Sequence, residues 1–152
     1  MEFRVRVSGR IAKPVHEVFE AVADPAKLSG FFTTGGAKGR IAPGAVVTWD
    51  FADFPGAFPV RVAEVIEDQR IVLHWGAAPG TASDPSGDTT VTMTFEQLED
   101  GRTLVTILEE GWLPTEEGLK ASFGNNEGWT GMLCAMKVYL EHGINLRAGF
   151  YK

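Results

Sequence analysis

The segment TLVTILEEGW places two carboxylates side by side, Glu109 and Glu110. On a strand only one of them can face inward. The alternation Val105, Ile107, Glu109 puts Glu109 on the face of an apolar pair, where a carboxylate could act as an acid or a base. Leu104 and Leu108 make the opposite face apolar too, so Glu109 stands either in a pocket or in water at the strand's end. Asp50, Asp53 and Glu64 read as surface charges.

The three histidines, His16, His74 and His142, fall on separate predicted elements, and the spacing predicts no metal site and no cofactor. His16 and His142 belong to solvated helix faces. His74 precedes Trp75 on a strand, so the two point to opposite sides, with Trp75 the inward one. Cys134, between Leu133 and Ala135, reads as a small buried hydrophobe and not as a nucleophile. The sequence has no His-Glu-x-x-His, Cys-x-x-Cys, Gly-x-Ser-x-Gly or P-loop pattern, and the glycines of TTGGAKGR lack dinucleotide spacing.

The aromatic residues carry a different suggestion. Trp49 and Phe51 share one face of a strand, Phe54 and Phe58 flank the DFPGAFP turn, and Trp75, Trp112 and Trp129 sit near element ends. An indole N–H needs a partner, which makes tryptophan a poor filler for a dry core. With Met132 and Met136, these side chains either line an adaptable apolar pocket with a few polar handles or pack as core. Two Gly-Trp pairs, Gly111-Trp112 and Gly128-Trp129, read as turn hinges and bulky walls at one end of such a pocket.

Positioning these residues requires a particular order of elements. Phe3, Val5 and Val7 alternate with Arg4, Arg6 and Ser8 as a first strand. Val15, Val18, Phe19 and Val22 follow at helical spacing behind Pro14, and Asp24-Pro25 ends that helix before a short second one over 26–32. Strands are predicted over 45–52, 58–67, 70–75, 89–98 and 103–112, with hairpins at Glu67-Asp68-Gln69 and Glu99-Asp100-Gly101. The loop GAAPGTASDPSGD is long and polar, a mobile rim or a lid. Trp129, Met132, Leu133, Met136, Leu140 and Ile144 predict one long amphipathic helix over about 125–146. An antiparallel sheet with one apolar face needs this cover, and a gap between the two is the natural place for a ligand.

The totals agree with one domain over 1–152, large enough for a single core. A formal net charge of −6 with scattered Lys and Arg argues against nucleic acid. A single cysteine allows no internal disulfide, no apolar run is long enough for a membrane span, and the start MEFRVRVSGR has no signal character, so a cytoplasmic location is expected.

In this order, IAKPVHEVFEAVADPAKLSGFF, APGAVVTWDF, VLHW, GRTLVTILEEGW and GWTGMLCAMKVYLEHG resemble the START/birch-allergen (SRPBCC) superfamily. Within it the chain is similar to the bacterial branch related to the C-terminal domain of the activator of the heat-shock protein 90 ATPase. The resemblance implies an α+β helix-grip fold: a curved antiparallel sheet of about six strands around the long C-terminal helix, with two short helices after the first strand. It also implies a cavity between sheet and helix that holds hydrophobic small molecules in many relatives. Relatives often have tryptophan after the first helices, where this chain has Phe31-Phe32, and often histidine or another polar residue at the position of Glu109.

Three functions are therefore in view. The first is a non-enzymatic protein that binds an apolar small molecule through Trp49, Phe51, Trp75, Glu109, Trp112, Trp129, Met132 and Met136. The second is a cyclase- or dehydratase-like enzyme with Glu109 or His74 as acid/base. The third is an interaction module like the co-chaperone domain, with a chaperone partner. A homodimer through a sheet edge or the first strand is compatible with each.

Overall fold

A computed structural model describes residues 2–152. Seven strands form one antiparallel sheet: β1 (Arg4–Ile11), β2 (Gly36–Lys38), β3 (Val46–Phe51), β4 (Phe54–Ile66), β5 (Arg70–Gly76), β6 (Asp88–Gln97) and β7 (Thr103–Glu110). Their spatial order is β1-β7-β6-β5-β4-β3-β2, a meander whose first strand returns beside the last. The count exceeds the six expected because β2, three residues hidden in the glycine-rich segment, pairs with β3. Register shifts at Trp49/Phe51 and at Val62/Glu64 mark bulges, the devices that bend a sheet.

Strand β4 begins four residues earlier than its composition predicts and runs straight through Pro55 and Gly56. Its pairing explains this: Phe54 meets Phe51 of β3, but contact with β5 begins only at Val60. Pro55 therefore stands where no ladder partner asks for its missing N–H. The long loop 77–87 is pinned and does not hang free as a rim. Ser83 N–H donates to the Gly111 carbonyl at 2.7 Å and Leu113 N–H to Thr81 at 2.7 Å.

The helices are α1 (Val15–Ala23), α2 (Pro25–Leu28) and α3 (Glu116–His142). Asp24 ends α1 and caps α2, its carboxylate accepting from Ala26 N–H at 2.9 Å. Helix α3 spans 27 residues, about 40 Å. It starts nine residues before the predicted point and stops four before the predicted end. Thr115 caps its start by accepting from Gly118 N–H at 3.0 Å, with Glu116 and Glu117 in the first turn. Gly143 ends it at φ 69°, so Ile144 and Leu146 lie beyond the helix and are exposed. The inward side chains of α3, Trp129, Met132, Leu133 and Met136, pack with Val5, Ile11, Met93, Val105 and Ile107 of the sheet and Phe19, Val22 and Phe31 of the helical segment.

Arg40 holds α1 to the chain before β3 through two bonds to Glu20, at 2.8 and 2.6 Å. The hydrogen bonds from Arg40 hold the Glu20 carboxyl below its usual 4.5. A carboxyl depressed on folding stabilises above its unfolded pKa, and that share is lost as pH falls through the folded value. Arg40→Met should therefore be less stable than the parent above about pH 4.5 and converge with it in stronger acid, a difference readable from paired thermal melts across pH 2–7.

Candidate functional site

The carboxylate of Glu109 is fully buried on the concave side of β7, below the alternation Val105, Ile107 that predicts this face. Four side chains from three further elements donate to it. Trp75, near the end of β5, donates Nε1–H to Oε2 at 2.7 Å, and Thr89 of β6 donates its hydroxyl to the same oxygen at 2.5 Å. Trp129 of α3 donates Nε1–H to Oε1 at 2.7 Å. Asn125, one helical turn earlier on the same face, reaches both oxygens with Nδ2 at 2.9 and 3.1 Å. Among the described residues, no side chain with a formal positive charge takes part.

A carboxylate offers about four lone-pair sites, and here every one has a donor. Both indoles can only donate, so the network needs a group that only accepts. Glu109 thus ties strands β5, β6 and β7 to helix α3, and its oxygens have no vacancy for a substrate proton. His74 takes the opposite direction from Trp75. It meets the Thr90 hydroxyl at 3.1 Å and lines a separate hollow of about 290 Å³ with Arg61 and Asp88 on the convex face. The two groups that could have paired as acid and base do not share a pocket.

Above Glu109's donors lies a cavity of about 270 Å³, lined by Phe32, Phe51, Phe54, Trp75, Gly124, Asn125, Gly128, Trp129 and Arg147. Its rings hold one another in place. Phe32 stacks on Trp129 at 5.6 Å between centroids and stands edge-on to Phe51 at 4.9 Å, while Trp75 and Trp129 lie 5.1 Å apart. Trp49 is one step further in, edge-on to both Phe32 and Trp75. Of the residues singled out in the sequence, the cavity thus brings together Phe51, Trp75 and Trp129 with Glu109 beneath them and Trp49 behind.

The others are elsewhere. Met132 and Met136 are fully buried core residues that do not line this space. Trp112 is buried beside the pinned 77–87 loop, bridged to Ala82, and does not form a pocket wall with Trp129. Its Nε1–H has no partner among the described residues. Cys134 is exposed, not buried, because its position on α3 turns away from the sheet. It borders a larger groove of about 590 Å³ between α3 and the C-terminal segment, together with Thr130, Gly131, Phe150 and Tyr151. That groove is roomier, but the buried polar network and the aromatic walls converge on the smaller cavity.

Three cavity residues carry no strong sequence signal, and a fourth, Gly128, lies inside α3 and is not the turn hinge that its pairing with Trp129 predicts. Gly124 and Gly128 sit one turn apart on α3, and a Cβ built on either meets no atom within 4 Å. Glycine inside a helix costs roughly 1 kcal/mol relative to alanine. Here that cost keeps the cavity open. Asn125 shows only as the i−4 neighbour of Trp129. Arg147 pairs with Asp53 across 94 positions, at 3.0 and 3.1 Å, and both side chains are over nine-tenths buried. Asp53 is thus no surface charge.

Among the described residues, His16, Glu67 and Asp68 form one group with ligand atoms close enough for a metal, and it is exposed. The His16–Asp68 hydrogen bond at 2.8 Å accounts for it and raises the imidazole above its usual 6.5.

A curved antiparallel sheet gripping a long C-terminal helix, with the opening between them walled by aromatic rings, is the helix-grip arrangement of SRPBCC proteins. The chain belongs to the family of activator of Hsp90 ATPase homolog 1-like proteins, whose profile matches residues 12–141. Among solved structures it is similar to a Staphylococcus saprophyticus protein at 29% identity, covering 95% of this chain and 96% of that one with a TM-score of 0.79. A protein of the dynemicin biosynthetic locus matches at 26% identity and TM-score 0.75 over 93% of this chain but 48% of its own length. The Aha1 dimer of Colwellia psychrerythraea, at 19% identity and TM-score 0.74, covers 93% of this chain and 98% of that chain and shares the fold. No curated protein matches the sequence. No helix among the described residues is long and apolar enough to cross a membrane.

Proposed function

We propose that the protein binds a small, flat, largely apolar molecule in the cavity between the sheet and α3. The observation that carries this reading is the pair of helical glycines over an aromatic floor. Gly124 and Gly128 forgo helix stability at two places where side chains would fit, and the space they leave is walled by Phe32, Phe51, Phe54, Trp75 and Trp129. A dry cavity of about 150 Å³ suffices for benzene, so about 270 Å³ suits a two-ring molecule. Saturation of the Glu109 oxygens supports binding over acid/base chemistry at that carboxylate.

The test is a fluorescence titration with N-phenyl-1-naphthylamine, a neutral naphthalene dye, up to high micromolar protein. The parent should give saturable enhancement. Gly128→Leu, which places a side chain in open space, should abolish it while leaving the fold intact, and Gly128→Ala should raise stability by up to about 1 kcal/mol while weakening the dye. No enhancement with the parent, or equal enhancement with Gly128→Leu, would refute the reading.

A further inference from the structure

Strand β1 ends the sheet on one side, and part of its outer edge has no partner. The register shows which backbone groups lie there. Phe95 N–H donates to the Gln69 carbonyl on the β5 side, so its opposite on β7, Val105, turns its own N–H and C=O to Gly9 of β1. The alternation then turns the backbone of Arg4, Arg6, Ser8 and Arg10 away from the sheet. Helix α3 closes the far end of this edge: Lys137 donates to the Arg10 carbonyl at 3.2 Å, and Ala12 N–H donates to Glu141 at 3.0 Å. Among the described residues, nothing takes the N–H and C=O of Arg6 and Ser8.

Sheet edges are usually blunted by shortness, proline, a bulge, a cover or charge. Of these, β1 has only charge. It pairs with β7 over eight residues without a register shift, and a hollow of about 350 Å³ opens between residues 7–11 and the α3 side chains Thr130, Leu133, Cys134 and Lys137. Gly9 puts no side chain into that hollow, although a Cβ there would make only ordinary contact with Leu133, at 3.9 Å. Glycine weakens a strand and recurs where another backbone comes close.

The charge decides which backbone that is. Arg4, Arg6 and Arg10 point to the convex face, opposite to the buried Val5 and Ile11. Arg4 is engaged by Glu110 at 2.9 Å and Glu2 at 3.3 Å, and Lys137 by Glu141. Asp100 feels the field of Arg10 but is itself held by Arg102 at 2.7 Å. Arg6 and Arg10 are exposed and form no ion pair among the described residues. A second copy pairing antiparallel about Val7 or Ser8 would set Arg10 opposite Arg4 or Arg6, and like charges on facing strands repel. Carboxylates in the same places attract.

We propose that the free edge of β1 takes up an extended acidic peptide as an added strand, with carboxylates four residues apart facing Arg6 and Arg10. The spacing matches about 13 Å along the strand. The residues between them turn alternate apolar side chains toward the hollow beside α3, and the main chain pairs with Arg6 and Ser8. This surface shares no residue with the aromatic cavity, and the proposal stands or falls apart from it.

The test titrates the 15N-labelled protein at pH 7 with the peptide acetyl-SEVTVES-amide up to several millimolar. The amide signals of Arg6 and Ser8 should move downfield saturably, and those of Val7 and Gly9, already turned to β7, should move less. The lysine counterpart, acetyl-SKVTVKS-amide, should bind at least about tenfold more weakly, and Arg6→Glu/Arg10→Glu should reverse that order. Ser8→Pro removes an outward N–H at a position where an edge strand tolerates proline, and it should lose the acidic peptide. Equal binding of the two peptides, or shifts without the alternation, would overturn the proposal. So would no binding at all, which would leave the arginines as guards against edge pairing. Concentration-dependent shifts of the same amides in the protein alone would give the edge to a second copy and overturn it as well.

Discussion

Glu109→Gln lowers the stability of the protein by about 3 kcal/mol, seen as a fall of roughly 6–12 °C in melting temperature. The substitution keeps shape and volume but replaces one acceptor oxygen by an NH2 group. If Oε1 is replaced, Trp129 Nε1–H faces another donor, and if Oε2 is replaced, Trp75 Nε1–H does. An indole cannot reverse its hydrogen bond, whereas the Thr89 hydroxyl can. At least one buried donor is then left without a partner, and the charge that strengthened the remaining bonds is gone. Trp129→Phe removes one donor and one hydrogen bond and should cost less, about 1–2 kcal/mol. If Glu109 were merely a solvated group at the end of β7, Glu109→Gln would melt with the parent.

Asp53→Ala costs about 3 kcal/mol or more, because it strands the Arg147 guanidinium in a site that excludes most water. The loss should be local as well as global. Arg147 fastens the C-terminal segment after α3 by its pair with Asp53 and by lying over Phe51 and Tyr151, so Asp53→Ala should speed amide exchange at Phe150, whose N–H donates to the Arg147 carbonyl. The double variant Asp53→Leu/Arg147→Met should recover most of the stability, since replacing both partners of a buried pair by apolar groups is often neutral. A single variant as stable as the parent would show that the pair contributes nothing.

These two clusters differ in how far the sequence announces them. Glu109 was legible as a candidate because period-two alternation carries Val105 and Ile107 onto its face; what the alternation could not settle was which face is concave, since Leu104 and Leu108 are apolar too. The half-buried state of those leucines resolves it. Trp75 and Trp129 were legible as indoles in want of acceptors, and the acceptor proved to be the same carboxylate. Asp53 and Arg147 were not legible at all: a pair 94 positions apart leaves no local pattern, and each alone looks like a surface charge.

The fold shows the same division. The order of strands and helices follows from periodicity and turn residues, and the family resemblance implies the helix-grip arrangement that membership of the family and the similar solved structures support. The start of α3 was misplaced because Gly118 and Gly124 depress its helical character, although Thr115 followed by Glu116 and Glu117 was an available capping signal. Gly118 has a packing reason, for a Cβ there would run into the Leu113 carbonyl. Gly124 and Gly128 have none, and the cavity is what they leave. Trp112 was misplaced because a strand end gives no sign of which loop will fold back on it.

On the proposed reading, the space between the sheet and α3 takes a ligand against the indoles of Trp75 and Trp129. The four indole N–H signals of the 15N-labelled protein report on it directly, because Trp112 is buried away from the cavity and serves as an internal control. Titration with N-phenyl-1-naphthylamine should shift the Trp75 and Trp129 signals saturably and together while the Trp112 signal stays in place. Static Trp75 and Trp129 signals at saturating ligand would contradict the account.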